Sequence, residues 1–322
     1  MSSPAVRHAL RALALVLLVA FPLGCGTGGK QTEQTVRQPM PPPEVTLSAE
    51  EQQVWAPSNT PPGIPTLLYH GIGTSEQSAD PADASYAIAS EDFAKQMALL
   101  HHAGYHTVTL AQLSAYVSGH PEQLPSRPLL ITFDDGLASS WLDGDGALKR
   151  EGFTATMFID AGRINSQTKG YLTWAELKTM QNSGRWDIQL HAWEGHRFVR
   201  YGPGENDYGA FYAYREEHES LEGWRKRAFG DISDGASRLH QQLPAEQAVA
   251  FAPPYGNYGQ EGTNDSHIPT ELLSWLLDRY QIVFVQNRCI LSKPHEEQPL
   301  GRFQLAHSTT GGELHAELTK AC

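Results

Sequence analysis

From residue 64 onward, short apolar-rich runs alternate with stretches of helical spacing. Runs bounded by turn residues predict strands at 66–69, 128–133, 154–159, 187–190, 248–252 and 281–285. Between them, "SEDFAKQMALLHHAG", "TLAQLSAYVSG" and "TWAELKTMQNSG" repeat apolar side chains at three-to-four spacing and predict helices. In the last of these, Thr173 is placed as an N-cap and Gly184 as a stop. A longer helix is predicted over 217–243, carried by Leu221, Trp224, Ala228, Ile232, Ala236 and Leu239. Gly223, Gly230 and Gly235 weaken its continuity. Strands alternating with helices predict an α/β protein with a parallel sheet, either a barrel or a doubly wound sheet. In both, chemistry belongs at the C-terminal ends of the strands.

The first residues fall outside this pattern. "MSSPAVRHALRALALVLLVAFPLGCG" opens with Arg7 and Arg11 and continues into an apolar stretch too short to span a bilayer, the proportions of an export signal. It ends in Leu23-Gly24-Cys25, which resembles the lipobox of bacterial lipoproteins, with Pro22 where leucine is usual. This resemblance implies a signal at 1–24, lipidation of Cys25 and an exported, membrane-anchored protein; the other reading is ordinary cleavage nearby or an uncleaved anchor. Residues 25–62, rich in Gly, Pro, Gln and Thr, are expected to be a flexible tether spanning roughly 35 Å r.m.s.. Residues 63–322 form the expected folded domain.

A formal charge of −12, with no long basic stripe, argues against a nucleic-acid partner. Cys25, Cys289 and Cys322 show no metal-type spacing; in an oxidising compartment Cys289 and Cys322 could pair.

The strand at 128–133 runs into Asp134-Asp135-Gly136. Asp-Gly is a common turn pair, yet two carboxylates at the mouth of a core strand each need a partner or a task. In "WDIQLHAWEGH", His191 follows a strand and His196 comes five residues later, a spacing that shares a face of neither a helix nor a strand. The two rings converge only if the chain loops around something such as a metal ion; otherwise they are two ordinary loop histidines. One aspartate and two histidines at strand ends give three protein ligands and leave a position open, as catalytic zinc sites require. Adjacent residues at a strand end project differently, so one aspartate can be a ligand while its neighbour is a base.

"TFDDG", the histidine pair after a strand and "FAPPYGNYG", in that order, resemble the polysaccharide deacetylases of carbohydrate esterase family 4, the NodB-homology group, over roughly residues 64 to 305. The resemblance implies a distorted (β/α) barrel that removes N-acetyl or O-acetyl groups from sugars. It implies that Asp134 is the base, that Asp135, His191 and His196 hold one divalent ion, expected to be zinc, and that the backbone N–H of Tyr255 stabilises the oxyanion. Two features depart from the family pattern. Ala252 stands where an arginine often orients the base, and Ala192 follows His191 where serine or threonine is usual. These departures, with a "YH" strand at the start, look more like the exported deacetylases of poly-β-1,6-N-acetylglucosamine. In that subgroup the Leu-x-His motif carrying the catalytic acid moves to the front, here Leu68-Tyr69-His70. A late copy, Leu305-Ala306-His307, sits in a polar region, which favours His70 as the acid.

Trp193 and Pro254 are candidate substrate contacts. With Trp193, the aromatics Tyr201, Tyr208, Phe211, Tyr212 and Tyr214 form either a sugar-stacking platform or loop packing. Residues 196–219 are expected to be a long irregular loop, a rim over a polymer groove. The resemblance therefore implies an N-deacetylase of a bacterial exopolysaccharide. The rival readings are an O-acetyl esterase on xylan or another polymer, and a surface carbohydrate-binding protein that has lost turnover.

Overall fold

The apolar runs are strands lying side by side. In the computed structural model, which describes residues 36–57, 62–73, 85–120, 124–165, 170–286 and 289–320, these described residues supply twelve strands. These are β1 (Ile64–Tyr69), β2 (His106–Thr107), β3 (Pro128–Phe133), β4 (Ala155–Asp160), β5 (Trp186–Ala192), β6 (Phe198–Arg200), β7 (Tyr208–Ala210), β8 (Ala250–Phe251), β9 (Ile282–Val285), β10 (Leu291–Ser292), β11 (Leu300–Gly301) and β12 (Phe303–Gln304). The six predicted strands are β1, β3, β4, β5, β8 and β9, each with its core inside the expected range.

These six run parallel in the order β1-β3-β4-β5-β8-β9, with registers such as Leu67 opposite Ile131 and Leu190 opposite Phe251. The segment 300–304 then closes the curve. Its first half, β11, pairs in parallel with β9, and its second half, β12, pairs in parallel with β1. One residue, Arg302, stands between the halves. The result is a nearly closed β/α barrel, one of the two architectures that the alternation of elements left open and the one that the family resemblance implied.

Period-two alternation sorts each strand's side chains. On β3, Leu129, Ile131 and Phe133 join the outer core beneath the helices, while Leu130 belongs to the inner cluster with Phe158, Ala250, Ile282 and Phe284. The same parity puts Thr132, Gln189 and Asp160 inside the barrel. Parallel strands covered on both faces are apolar on both, which is why they read as continuous runs. The inner cluster gives way to polar groups toward the C-terminal mouth.

The helices follow their sequence signals. Ser90–His102 and Leu110–Val117 form as read, and Thr173 caps Trp174–Asn182 through a reciprocal bond with Glu176. Helix Leu221–Gln242 runs unbroken through its three glycines. Gly235 has a packing reason: a Cβ there would sit 2.8 Å from the Leu190 side chain, so glycine lets the helix approach β5. No helix among the described residues is long and apolar enough to cross a membrane.

Two expectations need correction. The tether does not extend to residue 62, because 36–57 pack on the barrel. Arg37 pairs with Glu176, the Met40 amide bonds the Leu142 carbonyl, and Trp55 is buried beside a short helix, Ala49–Val54, capped by Ser48. Buried apolar and ionic anchors spaced along a Pro-rich stretch override its loop-like composition. The loop expected at 196–219 contains an antiparallel hairpin of β6 and β7, with Val199 opposite Gly209. The signal at 1–24, Cys25 and Cys322 lie outside the described residues.

Candidate active site

Inward parity on β3 carries Leu130 and Thr132 and then, one step past the strand, Asp134. Its amide continues the ladder by bonding the Tyr69 carbonyl at 3.0 Å. The chain then turns through two left-handed residues, Asp135 (φ 75°) and Gly136 (φ 75°). A left-handed non-glycine residue is uncommon, and aspartate tolerates it better than most. The Asp-Gly pair is thus a turn as well as a site. The turn rotates the second carboxylate away from the first, toward the histidines.

Asp134 is buried and meets Arg302 in a two-pronged ion pair, with Nη1 to Oδ1 and Nη2 to Oδ2 both at 2.7 Å. Arg302 Nη1 also lies 3.3 Å from Thr132 Oγ1, and its guanidinium carbon lies 5.4 Å from the Phe158 ring and 5.6 Å from the Phe284 ring. Burial alone pushes the Asp134 carboxyl up. The charge of Arg302 and its two hydrogen bonds outweigh it and hold the carboxyl below the usual range. Asp134 is therefore an anion with a fixed orientation.

Asp135 is equally buried but has no such partner, and burial raises its carboxyl to about 6. Its Oδ1 makes no hydrogen bond and lies 3.5 Å from His191 Nε2 and 3.4 Å from His196 Nδ1. One donor atom from each of these residues lies within 4.8 Å of the others. His191 Nδ1 is 2.6 Å from the Ala252 carbonyl, which fixes the proton on Nδ1 and turns the Nε2 lone pair toward Asp135. Burial pushes the His191 imidazolium down to about 3, so the ring is neutral. A neutral imidazole aimed at a buried carboxylate oxygen lacking a hydrogen bond fits a divalent ion, and the N₂O donor set suits zinc.

His70 follows β1, is almost fully buried, and places Nε2 4.0 Å from Asp135 Oδ2. Its carbonyl accepts from Ser140 Oγ at 2.7 Å, and its ring lies 5.3 Å from that of Tyr86. The second Leu-x-His runs alongside the first, since the Leu305 amide bonds the Leu68 carbonyl. The His307 ring, however, is exposed, and no contact described joins it to the aspartates.

Tyr255 lies in the single turn Pro254–Gly256 after β8 and is itself left-handed (φ 61°). Its ring packs 4.8 Å from His196 and 4.7 Å from Phe198, and Phe198 is 55% exposed. Pro254, the first residue of this turn, is buried, and Trp193 packs against the outer core while its amide bonds Asp231. The aromatic platform is corrected in part. Phe211 and Tyr212 are core residues, Tyr212 donating to Asp231 at 2.5 Å, and Tyr201 stacks on Tyr214. Among the described residues the exposed aromatics are Tyr86, Phe198, Tyr208 and Tyr255.

Sequence reasoning missed three residues. Arg302 replaces the arginine sought at Ala252, from a segment with no strand signal. Asp160 ends β4, lies 4.0 Å from His196 Nδ1 and pairs with Arg163 Nε at 2.9 Å; burial raises its carboxyl to about 8. Asp231 holds the loop before His196 by bonding the amides of Trp193 and Glu194. Asp160 was open to discovery, since it sits at the C-terminal end of a predicted strand.

Residues 121–266 match the family model described as polysaccharide deacetylase. A putative polysaccharide deacetylase, YxkH, of Bacillus subtilis is 29% identical over 163 residues, which cover 47% of this chain and 54% of that protein. The chain thus spans about half the length of this curated relative. Among solved structures, a de-N-acetylase from Aggregatibacter actinomycetemcomitans superposes with a TM-score of 0.65 at 18% identity, over 79% of this chain and 99% of that one. IcaB from Ammonifex degensii superposes with a TM-score of 0.62 at 23% identity, over 81% and 99%. At these identities the structural likenesses show the fold.

Proposed function

We propose that this chain, which carries a polysaccharide deacetylase domain, is a metal-dependent hydrolase removing N-acetyl groups from a bacterial exopolysaccharide, with poly-N-acetylglucosamine the expected polymer. One observation carries the reading. An anionic Asp134, clamped by Arg302, stands beside three convergent donors, Asp135, His191 and His196. A general base beside a cation site is one arrangement sufficient for hydrolysing an unactivated amide. The amide preference is supported by the de-N-acetylase among the neighbours.

In this reading Asp135, His191 and His196 hold the ion, which when bound supplies Lewis-acid polarisation of the acetyl carbonyl. Asp134 takes the proton from the attacking water, and Arg302 keeps that carboxylate ionised and aimed. The Tyr255 amide donates to the oxyanion. His70, across the site, gives a proton to the sugar nitrogen as the carbon–nitrogen bond breaks, leaving acetate and a free amine. Phe198 and the Tyr255 ring offer an apolar surface to a sugar face beside His196. The export signal and Cys25 support a lipid-anchored location outside the cytoplasm, in reach of such a polymer.

The test is acetate release from β-1,6- and β-1,4-linked N-acetylglucosamine oligomers and from acetylated xylan, with metal content measured on the same preparation. Release from the β-1,6 oligomers is expected. Release from xylan alone would replace the reading by an esterase, and bound metal and sugar without acetate by a binding protein.

A further inference from the structure

A second chain of polar contacts leads from the segment before the barrel to the loop that carries His196. Arg37 donates from Nε to Glu176 Oε1 at 2.6 Å and from Nη2 to Glu176 Oε2 at 2.7 Å. Glu176 is buried, with its side chain 1% exposed, and its carboxylate also accepts from the Thr173 amide at the start of the helix it caps. The Arg37 guanidinium makes a further bond, from Nη2 to the Tyr171 carbonyl at 3.0 Å. Tyr171 is buried, and its neighbours fasten it to the turn after Asp135. The Ala138 amide bonds the Gly170 carbonyl at 2.7 Å, and the Leu172 amide bonds the Gly136 carbonyl at 3.0 Å. On the far side of Tyr171, its hydroxyl accepts from Arg163 Nη1. Arg163 then donates from Nη2 to the His196 carbonyl at 3.0 Å and pairs through Nε with Asp160.

We propose that Arg37 is a positioning residue for the metal-ligand loop, acting through Tyr171 and Arg163 on the main chain at His196. The proposal rests on the reading of Asp135, His191 and His196 as metal ligands. Its physical basis is the fork of the guanidinium. Two parallel bonds to a buried carboxylate fix the plane of Arg37, and the second hydrogen on Nη2 then fixes the height of the Tyr171 backbone. A lysine would keep the charge but lose the plane. Ligand orientation by outer partners is worth about 10- to 100-fold in metal affinity where it has been dissected, and Arg37 lies further out, so the lower figure applies.

The experiment measures zinc affinity by competition with a chromophoric chelator on the full chain and on Arg37→Ala, Arg37→Lys, Tyr171→Phe and the Arg37→Ala/Tyr171→Phe double variant, with melting temperatures alongside. Trp55→Ala is the control, because it loosens the same leading segment at its other end without touching Tyr171. Arg37→Ala, Arg37→Lys and Tyr171→Phe are each expected to weaken zinc binding about tenfold. The double variant is expected to be no weaker than the worse single one, since both cut the same link. Trp55→Ala is expected to melt earlier but to bind zinc like the wild type. Wild-type affinity in Arg37→Ala, or an equal loss in Trp55→Ala, would overturn the link, the second by reducing it to general stability. A wild-type chain that binds no zinc would overturn the metal reading itself, and the link with it.

Discussion

Arg302 and Asp134 face each other in a two-pronged ion pair, 2.7 Å on each arm, with both side chains sealed from solvent. Breaking one partner of such a pair leaves an uncompensated buried charge, which costs about 3–5 kcal/mol. Arg302→Met is therefore expected to lose stability of that order in denaturant unfolding and about 10²-fold or more in acetate release, while keeping bound metal. Replacing both partners together, as Arg302→Met/Asp134→Leu, is expected to regain most of the stability and none of the activity. A stable, active Arg302→Met variant would remove the orienting role.

The pair also marks where sequence reading stops. The barrel strands were legible because burial on both faces makes them apolar throughout, and the capped helices were legible from Thr173 and Gly184. Asp134, Asp135, His191 and His196 were legible from their places after predicted strands. Arg302 was not, because its strand is two short pieces that each complete a different neighbour, and pairing across so great a chain distance leaves no local pattern. The docking of 36–57 was hidden for a related reason: Arg37 finds Glu176 139 residues away, in a stretch whose composition reads as a linker.

His70 and His307 end two copies of one motif at the ends of the adjacent strands β1 and β12, but only His70 is buried beside Asp135. His70→Ala is expected to keep metal and lose about 10²–10⁴-fold in turnover, through loss of leaving-group protonation. His307→Ala is expected to change little. Metal content and acetate release on both variants check this; full activity in His70→Ala would move the acid role elsewhere.

Glu246 lies against Asp187 near the other end of β5, and burial together with the Asp187 carboxyl raises it to about 8. A raised carboxyl binds its proton more tightly in the folded chain than in the unfolded one. Its contribution to stability is thus fully present below the ordinary value near 4.5 and is lost as pH rises through about 8. Melting temperature is expected to fall between pH 5 and pH 9, in approximate terms, and to fall less in Glu246→Gln. Parallel curves for the two proteins would contradict this.

On the proposal that Cys25 is lipidated, Cys25→Ser is expected to move the protein from the membrane fraction to the soluble one, with acetate release unchanged, since Cys25 precedes every proposed site residue in the sequence. A variant that stays with the membrane would indicate another mode of attachment.

The central claim is that Asp134 and Asp135, adjacent in sequence, do different work. It is tested most directly by measuring zinc content and acetate release on Asp134→Asn and Asp135→Asn side by side. Asp134→Asn is expected to bind zinc like the wild type and to lose about 10²–10⁴-fold in turnover, because an amide cannot take the water proton. Asp135→Asn is expected to lose zinc and turnover together. Equal zinc loss in the two variants, or an active Asp134→Asn enzyme, would contradict it.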